Sequence, residues 1–276
     1  MTYTPVVPVS GYAGWAFLSR TRADQQAAFD NSTTIRRNTD YFAENIASVQ
    51  TAEDLVADRR LLQVALGAFG LDEDINSKYF LQKVLEDGTL KDDALANRLS
   101  DKRYFQLSKA FGFGDFDTPR TVLSTFADEI TDAYRQKQFE IAVGEQDESM
   151  RLALGLDSAL SEIATRDTSE NGRWFTVMGQ APVRRVFEYA LGMPASVGAL
   201  DLDQQLTIFR DKAAARFGDG EVAQFTDPAK REELVKLFLL RSQTESFATS
   251  RVGESPALTL LQNAGGAGGL LNILTG

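Results

Sequence analysis

The chain contains 276 residues with a formal net charge of −10, and it contains neither cysteine nor histidine. This composition excludes disulfides, thiol nucleophiles, serine–histidine–aspartate triads and zinc sites built on Cys or His. The acidic balance also argues against a broad nucleic-acid surface, because such surfaces are basic overall. We therefore expect no cofactor, no metal and no nucleic-acid partner.

Helical patterns run through almost the whole chain, whereas strand patterns are scarce. Apolar residues at helical spacing predict a first helix near 15–30 and a second near 39–46. Thr51, which acidic residues follow, predicts the capped start of a third helix. The apolar face of this helix continues through 55–69, and Gly70 is expected to end it.

Three further helices are predicted before the first clear break in the pattern. They cover about 79–85, 95–99 and 104–111. The first of them is expected to stop at Asp87 and Gly88, and Ser100 or Asp101 is expected to cap the last. The Gly- and Asp-rich segment 111–119 then interrupts the helical periodicity.

A long helical region is predicted after this break, with Pro119 at its first helical position. The region either reaches about 164 or breaks at Gly144, since the pattern fits both interpretations. Another break is expected at 166–173. The remaining helices are predicted at 183–192, 201–216 and 228–247. Asp227 is expected to cap the last helix, and Pro228 to begin it.

Three short matches at nearly constant spacing suggest an internal duplication. They pair 59–67 with 184–192, 99–101 with 225–227, and 107–111 with 234–238. The alternative is that amphipathic helices with one buried face resemble each other by chance. We predict an all-α multi-helix bundle, which has two similar helical halves if the duplication is real. The expected segments are an N-terminal helical arm (1–50), a first helical unit (51–118), linking long helices (119–172), a second helical unit (173–252) and a Gly-rich apolar tail (253–276).

Both ends of the sequence are rich in apolar residues. The N-terminal stretch lacks a basic region and is interrupted by Pro5 and Pro8, so we expect no secretory signal peptide. No apolar run is long enough to predict a membrane span. The N-terminal residues are expected to pack onto the fold, whereas the last ten residues pack, dock on another chain or remain disordered. The candidate partner-binding residues are Leu258, Leu261, Leu270, Leu271, Ile273 and Leu274.

The local motifs do not predict a catalytic or metal site. The Gly-rich run 265–269 lacks the Lys that follows in a phosphate loop. The acidic residues that begin at Asp72 lack the Gly and Glu that an EF-hand requires at its sixth and twelfth positions. Paired carboxylates such as Glu232 and Glu233 fit helix starts and solvated faces better than a catalytic pair.

Two features leave a binding role open. The three arginine pairs are Arg36-Arg37, Arg59-Arg60 and Arg184-Arg185. They either clamp an anionic ligand or form ion pairs with the excess carboxylates. The compact cluster of Trp174, Phe175, Val177 and Met178 is typical of core packing, with a groove for a partner as the alternative.

Four segments carry a family resemblance. They are LLQVALGAFGLD (61–72), YFQLSKAFGF (104–113), RWFTVMGQAPVRRVFEYALGMP (173–194) and FLLRSQTESF (238–247). Together they resemble an all-helical alphaproteobacterial family that is catalogued as a domain of unknown function. Members of that family are often encoded among flagellar genes, so the resemblance implies a role in flagellar assembly or structure. It implies no catalytic residue.

The leading hypothesis is therefore a non-enzymatic structural or assembly protein. It would act through protein–protein contacts, with flagellar components as its expected partners, in the cytoplasm or at the flagellum. The alternative is a regulatory or adaptor module that binds a small anionic ligand at an arginine pair. A carboxylate- or Mg²⁺-dependent enzyme is the third hypothesis, and it needs acidic side chains that converge in a cleft with raised pKa values.

Overall fold

The computed structural model describes residues 3–253, and the side chains of residues 3–244. Within these residues the chain forms thirteen α-helices and contains no β-strand, which confirms the predicted all-α fold class. The α-helices are α1 (Gly11–Asp30), α2 (Thr33–Asn45), α3 (Ala52–Ala57), α4 (Arg59–Ala68), α5 (Lys78–Asp87), α6 (Leu95–Arg98), α7 (Arg103–Phe111), α8 (Phe126–Gly144), α9 (Glu148–Thr165), α10 (Glu170–Gly179), α11 (Ala181–Leu191), α12 (Leu202–Phe217) and α13 (Pro228–Gly253). Short 3-10 helices cover Ile46–Ser48, Asp72–Asn76, Arg120–Val122, Ala195–Ala199 and Val222–Thr226.

Two long helices, α8 and α9, pack against each other at the centre of the fold. The sequence left open whether one helix continues past Gly144, and the structure shows that α8 ends there. Asp147 then caps α9, because its Oδ1 accepts a hydrogen bond from the N–H of Ser149 at 2.9 Å. Helices α2 and α4 pack on α8, whereas α10 and α11 pack on α9. One continuous hydrophobic core joins both sides.

The first and last described helices pack against each other. The Nε1 of Trp15 on α1 donates to both carboxylate oxygens of Glu232 on α13, at 3.1 and 3.2 Å. Trp15 and Leu18 are buried, and Val7 packs against the core, although Val6 and Val9 remain exposed. The expected packing of the N-terminal apolar residues onto the fold is thus confirmed for most of them.

The prediction of one unbroken helix through 55–69 is wrong. Asp58 adopts an extended conformation, with φ −87° and ψ 104°, and separates α3 from α4. Its Oδ1 accepts hydrogen bonds from the N–H groups of Arg60 and Leu61, at 2.8 and 3.1 Å. The break is stable because this carboxylate satisfies N–H groups that the first turn of α4 would otherwise leave open.

Pro119 does not begin a long helix, contrary to the prediction. It precedes the 3-10 helix Arg120–Val122, and α8 begins only at Phe126. The buried hydroxyl of Thr121 donates to the carbonyl oxygen of Val49 at 2.7 Å. This tertiary hydrogen bond fixes the segment against the chain that precedes α3, and a local sequence pattern gives no sign of it.

Several other predicted helix ends are confirmed. Thr51 and Asp54 form a reciprocal capping box at the start of α3. Gly192 ends α11 in a left-handed conformation with φ +61°. Asp227 accepts a hydrogen bond from a backbone N–H in the first turn of α13. Helix α2 begins at Thr33, earlier than predicted, because its first turns are mostly polar and give little apolar signal.

Candidate functional site

The predicted partner-binding residues near the end of the sequence lie outside the described residues. They are Leu258, Leu261, Leu270, Leu271, Ile273 and Leu274. Their role stays a prediction. Within the described part of the chain, one cavity lies between α7 and α10, and another lies beside α2.

The first cavity, here called the basic groove, has a volume of about 800 Å³. The ends of α4 and α9 and the 3-10 helix before α8 complete its walls. Its apolar lining consists of Phe69, Phe105, Ala110 and Phe175. Its charged lining consists of Lys102, Lys109, Arg120, Arg166 and Glu162. The groove therefore combines an apolar surface with an excess of positive charge.

Helix α7 presents two groove residues on one face. Phe105 and Lys109 are four residues apart, so their side chains lie on the same side of the helix. The Nζ of Lys109 lies 6.0 Å from the centroid of the Phe105 ring, which is a weak cation–π contact. Leu107 and Phe111 are buried. These buried side chains fix the rotation of α7, and thereby the position of its groove residues.

Helix α10 divides the aromatic cluster that the sequence placed in the core. Trp174, Val177 and Met178 are buried, as predicted, but Phe175 is 40% exposed and lines the groove. Successive helical residues are rotated by about 100°, so the burial of Trp174 turns Phe175 away from the core. The core interpretation is therefore wrong for Phe175, whose position fits the alternative of a groove.

The two lysines of the groove are held without a carboxylate partner among the described residues. Lys102 donates from Nζ to the carbonyl oxygen of Asn97 at 2.8 Å. Lys109 is exposed and contacts an aromatic ring. A carboxylate of a partner can therefore pair with either ammonium group without first breaking an internal ion pair.

The two arginines of the groove have carboxylate partners. Arg166 pairs with Glu162 at 3.0 Å, and Arg120 pairs with Glu129 at 3.5 Å. These pairs are exposed, so solvent screens them and they contribute little to stability. The arginines therefore remain available for new hydrogen bonds at the wall of the groove.

The second cavity, here called the arginine cavity, has a volume of about 440 Å³ and is lined by Arg36, Arg37 and Arg60. The guanidinium of Arg60 stacks on Tyr41, 3.7 Å from the ring centroid, and its Nη2 donates to the carbonyl oxygen of Arg37 at 3.1 Å. The Tyr41 hydroxyl donates to Asp58 at 2.6 Å, and this hydrogen bond raises the pKa of Tyr41. These contacts fix the position of Arg60.

The structure assigns different surroundings to the two arginine pairs that the sequence matched with each other. Arg60 lines the arginine cavity, and Arg59 donates to the side chain of Asn76 at 3.3 Å. Arg184 instead pairs with Glu188 at 2.7 Å and donates to Gln205 at 2.8 Å. Arg184 therefore supports the packing of α11 on α12.

The acidic loop at Asp72 accepts hydrogen bonds from other elements. Asp72 accepts one from Gln138 on α8 at 2.7 Å, and Asp74 accepts one from the Tyr104 hydroxyl at 2.8 Å. Burial and this second hydrogen bond raise the pKa of Tyr104 to about 12.

Across residues 3–244, no group of acidic side chains is arranged to hold a metal ion. Helices long and apolar enough to cross a bilayer are likewise absent from the described chain.

The fold and the groove define an all-α protein with a basic concave surface. The family model "Protein of unknown function (DUF1217)" matches residues 68–230. Because the match covers more than half of the sequence, the chain belongs to this family. The residues that line the basic groove all lie within the matched region, whereas those of the arginine cavity, between 31 and 60, lie outside it.

A solved structure shares this fold. The crystal structure of protein AGR_C_984 from Agrobacterium tumefaciens aligns with a TM-score of 0.69 and 24% sequence identity. The alignment covers 88% of this chain and 99% of that one. At this identity the likeness supports the fold alone. A comparison with curated proteins finds no match.

Proposed function

We propose that this protein is a non-enzymatic structural or assembly protein, which acts through protein–protein contacts and is associated with the flagellum. The basic groove is the observation that supports the contact role. The flagellar part rests on the four segments that resemble proteins often encoded among flagellar genes, and gene context is an associational argument. The expected location is the cytoplasm or the flagellum.

The groove has the features of a docking surface. Phe175 exposes its ring in a concave surface, and such rings are frequent anchors of protein interfaces. Its burial by a partner would remove apolar area from water, at about 25 cal/mol per Å². Lys102 and Lys109 would add charge-assisted contacts to partner carboxylates. The apolar contact thus supplies affinity, and the charges select the partner.

Affinity capture tests this proposal. Tagged full-length protein is used to capture partners from a lysate of the cells that produce it, and mass spectrometry identifies them. We expect flagellar rod, hook or export components, and we expect Phe175→Ala to lose them. The matched control is Leu240→Ala on α13, since Leu240 is similarly exposed, at 45%. A version truncated after Glu254 examines the predicted tail residues in the same experiment.

The outcomes separate the two parts of the proposal. Capture of no flagellar component by the wild-type chain contradicts the flagellar association. Equal capture by wild type and Phe175→Ala contradicts a role of the groove. Loss on truncation alone would assign the contact to the predicted tail residues, which begin at Leu258.

A second candidate function is a regulatory or adaptor role in which the arginine cavity binds a small anionic ligand. The observation in its favour is the cluster of Arg36 and Arg37 with the fixed guanidinium of Arg60. Three guanidinium groups offer several N–H donors to a phosphate or carboxylate. Asp40 and Glu44 line the same cavity and reduce its positive charge.

Calorimetric titration with pyrophosphate tests this second function. We expect saturable binding that the double variant Arg36→Gln/Arg37→Gln abolishes. The control variant Arg20→Gln/Arg98→Gln removes two exposed arginines elsewhere and should bind as wild type does. No heat of binding with the wild-type protein would exclude the arginine cavity as a site for this class of anion.

A further inference from the structure

We propose that the basic groove binds an acidic segment of a protein partner and seats a large apolar side chain of that segment against Phe105 and Phe175. This inference rests on the proposed docking function and specifies the chemistry of the partner. It depends on three properties of the groove: exposed rings, lysines without a carboxylate partner among the described residues, and side-chain amides.

The rings define what the partner must bury. Phe105 is half-buried on α7, and Phe175 is exposed on α10, so the two rings come from opposite walls. Ala110 is a small residue in the same lining. A volume of about 800 Å³ leaves room for an aromatic or large aliphatic side chain and for the backbone that carries it. The interaction surface therefore requires an apolar group, which a bare anion lacks.

The charges define the sign of the partner. Lys102 and Lys109 are not engaged by described carboxylates, and Glu162 is the acid of the groove lining, where it already pairs with Arg166. The rest of the protein is acidic, with a formal net charge of −10 for the chain. A positive surface on an acidic protein guides an acidic segment to this position and not to the remaining surface.

The amides favour a peptide as the ligand. Gln106 and Gln180 line the groove, one from each wall. A side-chain amide both donates and accepts hydrogen bonds, as an extended peptide backbone requires of its partner. A single-stranded nucleic acid would also use cations and rings, but it carries a phosphate on every nucleotide, so its charge extends beyond the groove onto the acidic remainder of the protein. An acidic peptide concentrates its charge where the groove is positive.

Gly179 provides a position for probing the groove. It is the last residue of α10 and lines the groove, and a Cβ built there meets no atom outside its own helix and chain neighbours within 4 Å. A longer side chain at this position therefore enters open space. Charge can thus be added to the groove without removing an existing contact.

Fluorescence anisotropy with three labelled peptides provides the first test. One peptide alternates Glu and Asp with Phe and Leu, the second replaces each acid with Lys, and the third replaces Phe and Leu with Ser. We expect binding of the first peptide alone. Phe175→Ala should weaken it by about tenfold, a larger loss than most interface residues cause on truncation to alanine, and Leu240→Ala should not change it. Binding should also weaken as the salt concentration rises.

Three substitutions of Gly179 provide the second test. Gly179→Glu should weaken binding of the acidic peptide by about fivefold, and Gly179→Lys should strengthen it by about fivefold. Effects of this size are expected for one screened charge near the surface. Gly179→Ala is the uncharged control and should bind as wild type does.

The double variant Lys102→Glu/Lys109→Glu should abolish binding. Its control, Lys78→Glu/Lys212→Glu, makes the same charge change on other surfaces. It should weaken peptide binding only slightly, because salt screens charges that lie far from the bound peptide.

Each contrary outcome has a defined meaning. No binding of the acidic apolar peptide, equal binding of the lysine peptide, or tighter binding of a labelled oligothymidylate overturns this inference. Equal capture of flagellar components by wild type and Gly179→Glu also overturns it but leaves the proposed function intact. Peptide binding as expected, without capture of any flagellar component, overturns the flagellar association and leaves the groove chemistry intact.

Discussion

The segments 52–87 and 170–217 follow the same order of elements, although they pack on different helices. Each contains a helix, a single extended residue, a second helix, a left-handed glycine, a five-residue 3-10 helix and a third helix. The extended residues are Asp58, with φ −87° and ψ 104°, and Gln180, with φ −97° and ψ 100°. This likeness favours the predicted internal duplication, which stays a prediction.

The left-handed glycines suggest a register for the comparison. Gly70 has φ +68° and Gly192 has φ +61°, and each follows its extended residue, Asp58 or Gln180, by the same number of residues. The sequence instead matched Gly192 with Gly67. That register is wrong for the backbone, because Gly67 lies inside α4 and is buried there.

The two junctions are stabilised by different means. Asp58 supplies a carboxylate that caps α4. Gln180 makes no side-chain cap on α11, but Pro182 lies in the first turn of that helix. Proline has no N–H group, so it removes one of the donors that a cap would otherwise satisfy. The comparison shows that one backbone junction can be supported either by a hydrogen-bond acceptor or by the loss of a donor.

The largest predicted effect concerns Trp174, which the register of the left-handed glycines aligns with Ala52. Trp174 is fully buried against Phe187 and Phe209, and its Nε1 donates to the carbonyl oxygen of Gly220 at 2.9 Å. Trp174→Ala should lower the free energy of unfolding by about 3–5 kcal/mol. Ala52→Gly removes one buried methyl group from the first residue of α3 and should cost about 0.8 kcal/mol. Urea denaturation measures both values, and equal losses would contradict the larger contribution of Trp174 to the shared core.

The left-handed glycines should respond in similar ways. Gly70→Ala and Gly192→Ala should each cost about 1–2 kcal/mol, because a Cβ strains this backbone conformation. A Cβ at Gly192 would also meet the guanidinium of Arg241, but this group ends an exposed, flexible side chain and can move aside, so the two losses should be similar. Gly179→Ala serves as the control, since its backbone is helical and its surroundings are open. Thermal unfolding ranks the three variants, and an unchanged Gly192→Ala would refute the proposed strain.

The junction residues themselves should differ. Asp58→Ala should cost about 1 kcal/mol, the usual effect of removing a capping side chain. Gln180→Ala should have no measurable effect on the free energy of unfolding, because its side chain makes no cap. Denaturant titration of both variants tests the distinction between the junctions. A similar loss in the two variants would contradict it.

The smallest predicted effect is the pH dependence of the first junction. Burial raises the pKa of Asp58, but hydrogen bonds from Tyr41 and from the N–H groups of Leu61 and Arg60 outweigh it and hold the pKa below 3.8. The Asp58 carboxylate therefore binds a proton more tightly in the unfolded chain than in the folded one. Its contribution to the free energy of unfolding is fully present above pH 3.8 and is lost as the pH falls through the lower pKa of the folded state. The stability difference between wild type and Asp58→Asn should therefore shrink below about pH 4. Gln180→Ala serves as the pH-independent control.

Local patterns predicted most helices, because buried faces recur at helical spacing and capping residues mark the ends. They missed the break at Asp58, since apolar residues continue at helical spacing on both sides of it. They missed the segment at Pro119, because its structure depends on the tertiary hydrogen bond from Thr121 to Val49.

The basic groove was missed for a related reason. Lys109 and Phe175 are far apart in the sequence, and only the packing of the fold places α7 opposite α10. One local signal was available. Trp174, Val177 and Met178 follow the i, i+3, i+4 spacing of a buried face, and Phe175 falls outside it. All four residues of the cluster are apolar, so its composition alone does not distinguish Phe175 from the three buried residues.

The hydrogen bond between Trp15 and Glu232 has a consequence for synthesis of the chain. The two residues are 217 positions apart, so the ribosome must add all of the intervening chain before this contact can form. At about 5–20 residues per second, this takes roughly 10–40 s. During this time α1 lacks the helix that covers its tryptophan. A nascent chain stalled before Glu232 should therefore expose Trp15 to a solvent quencher, and release of the full chain should protect it.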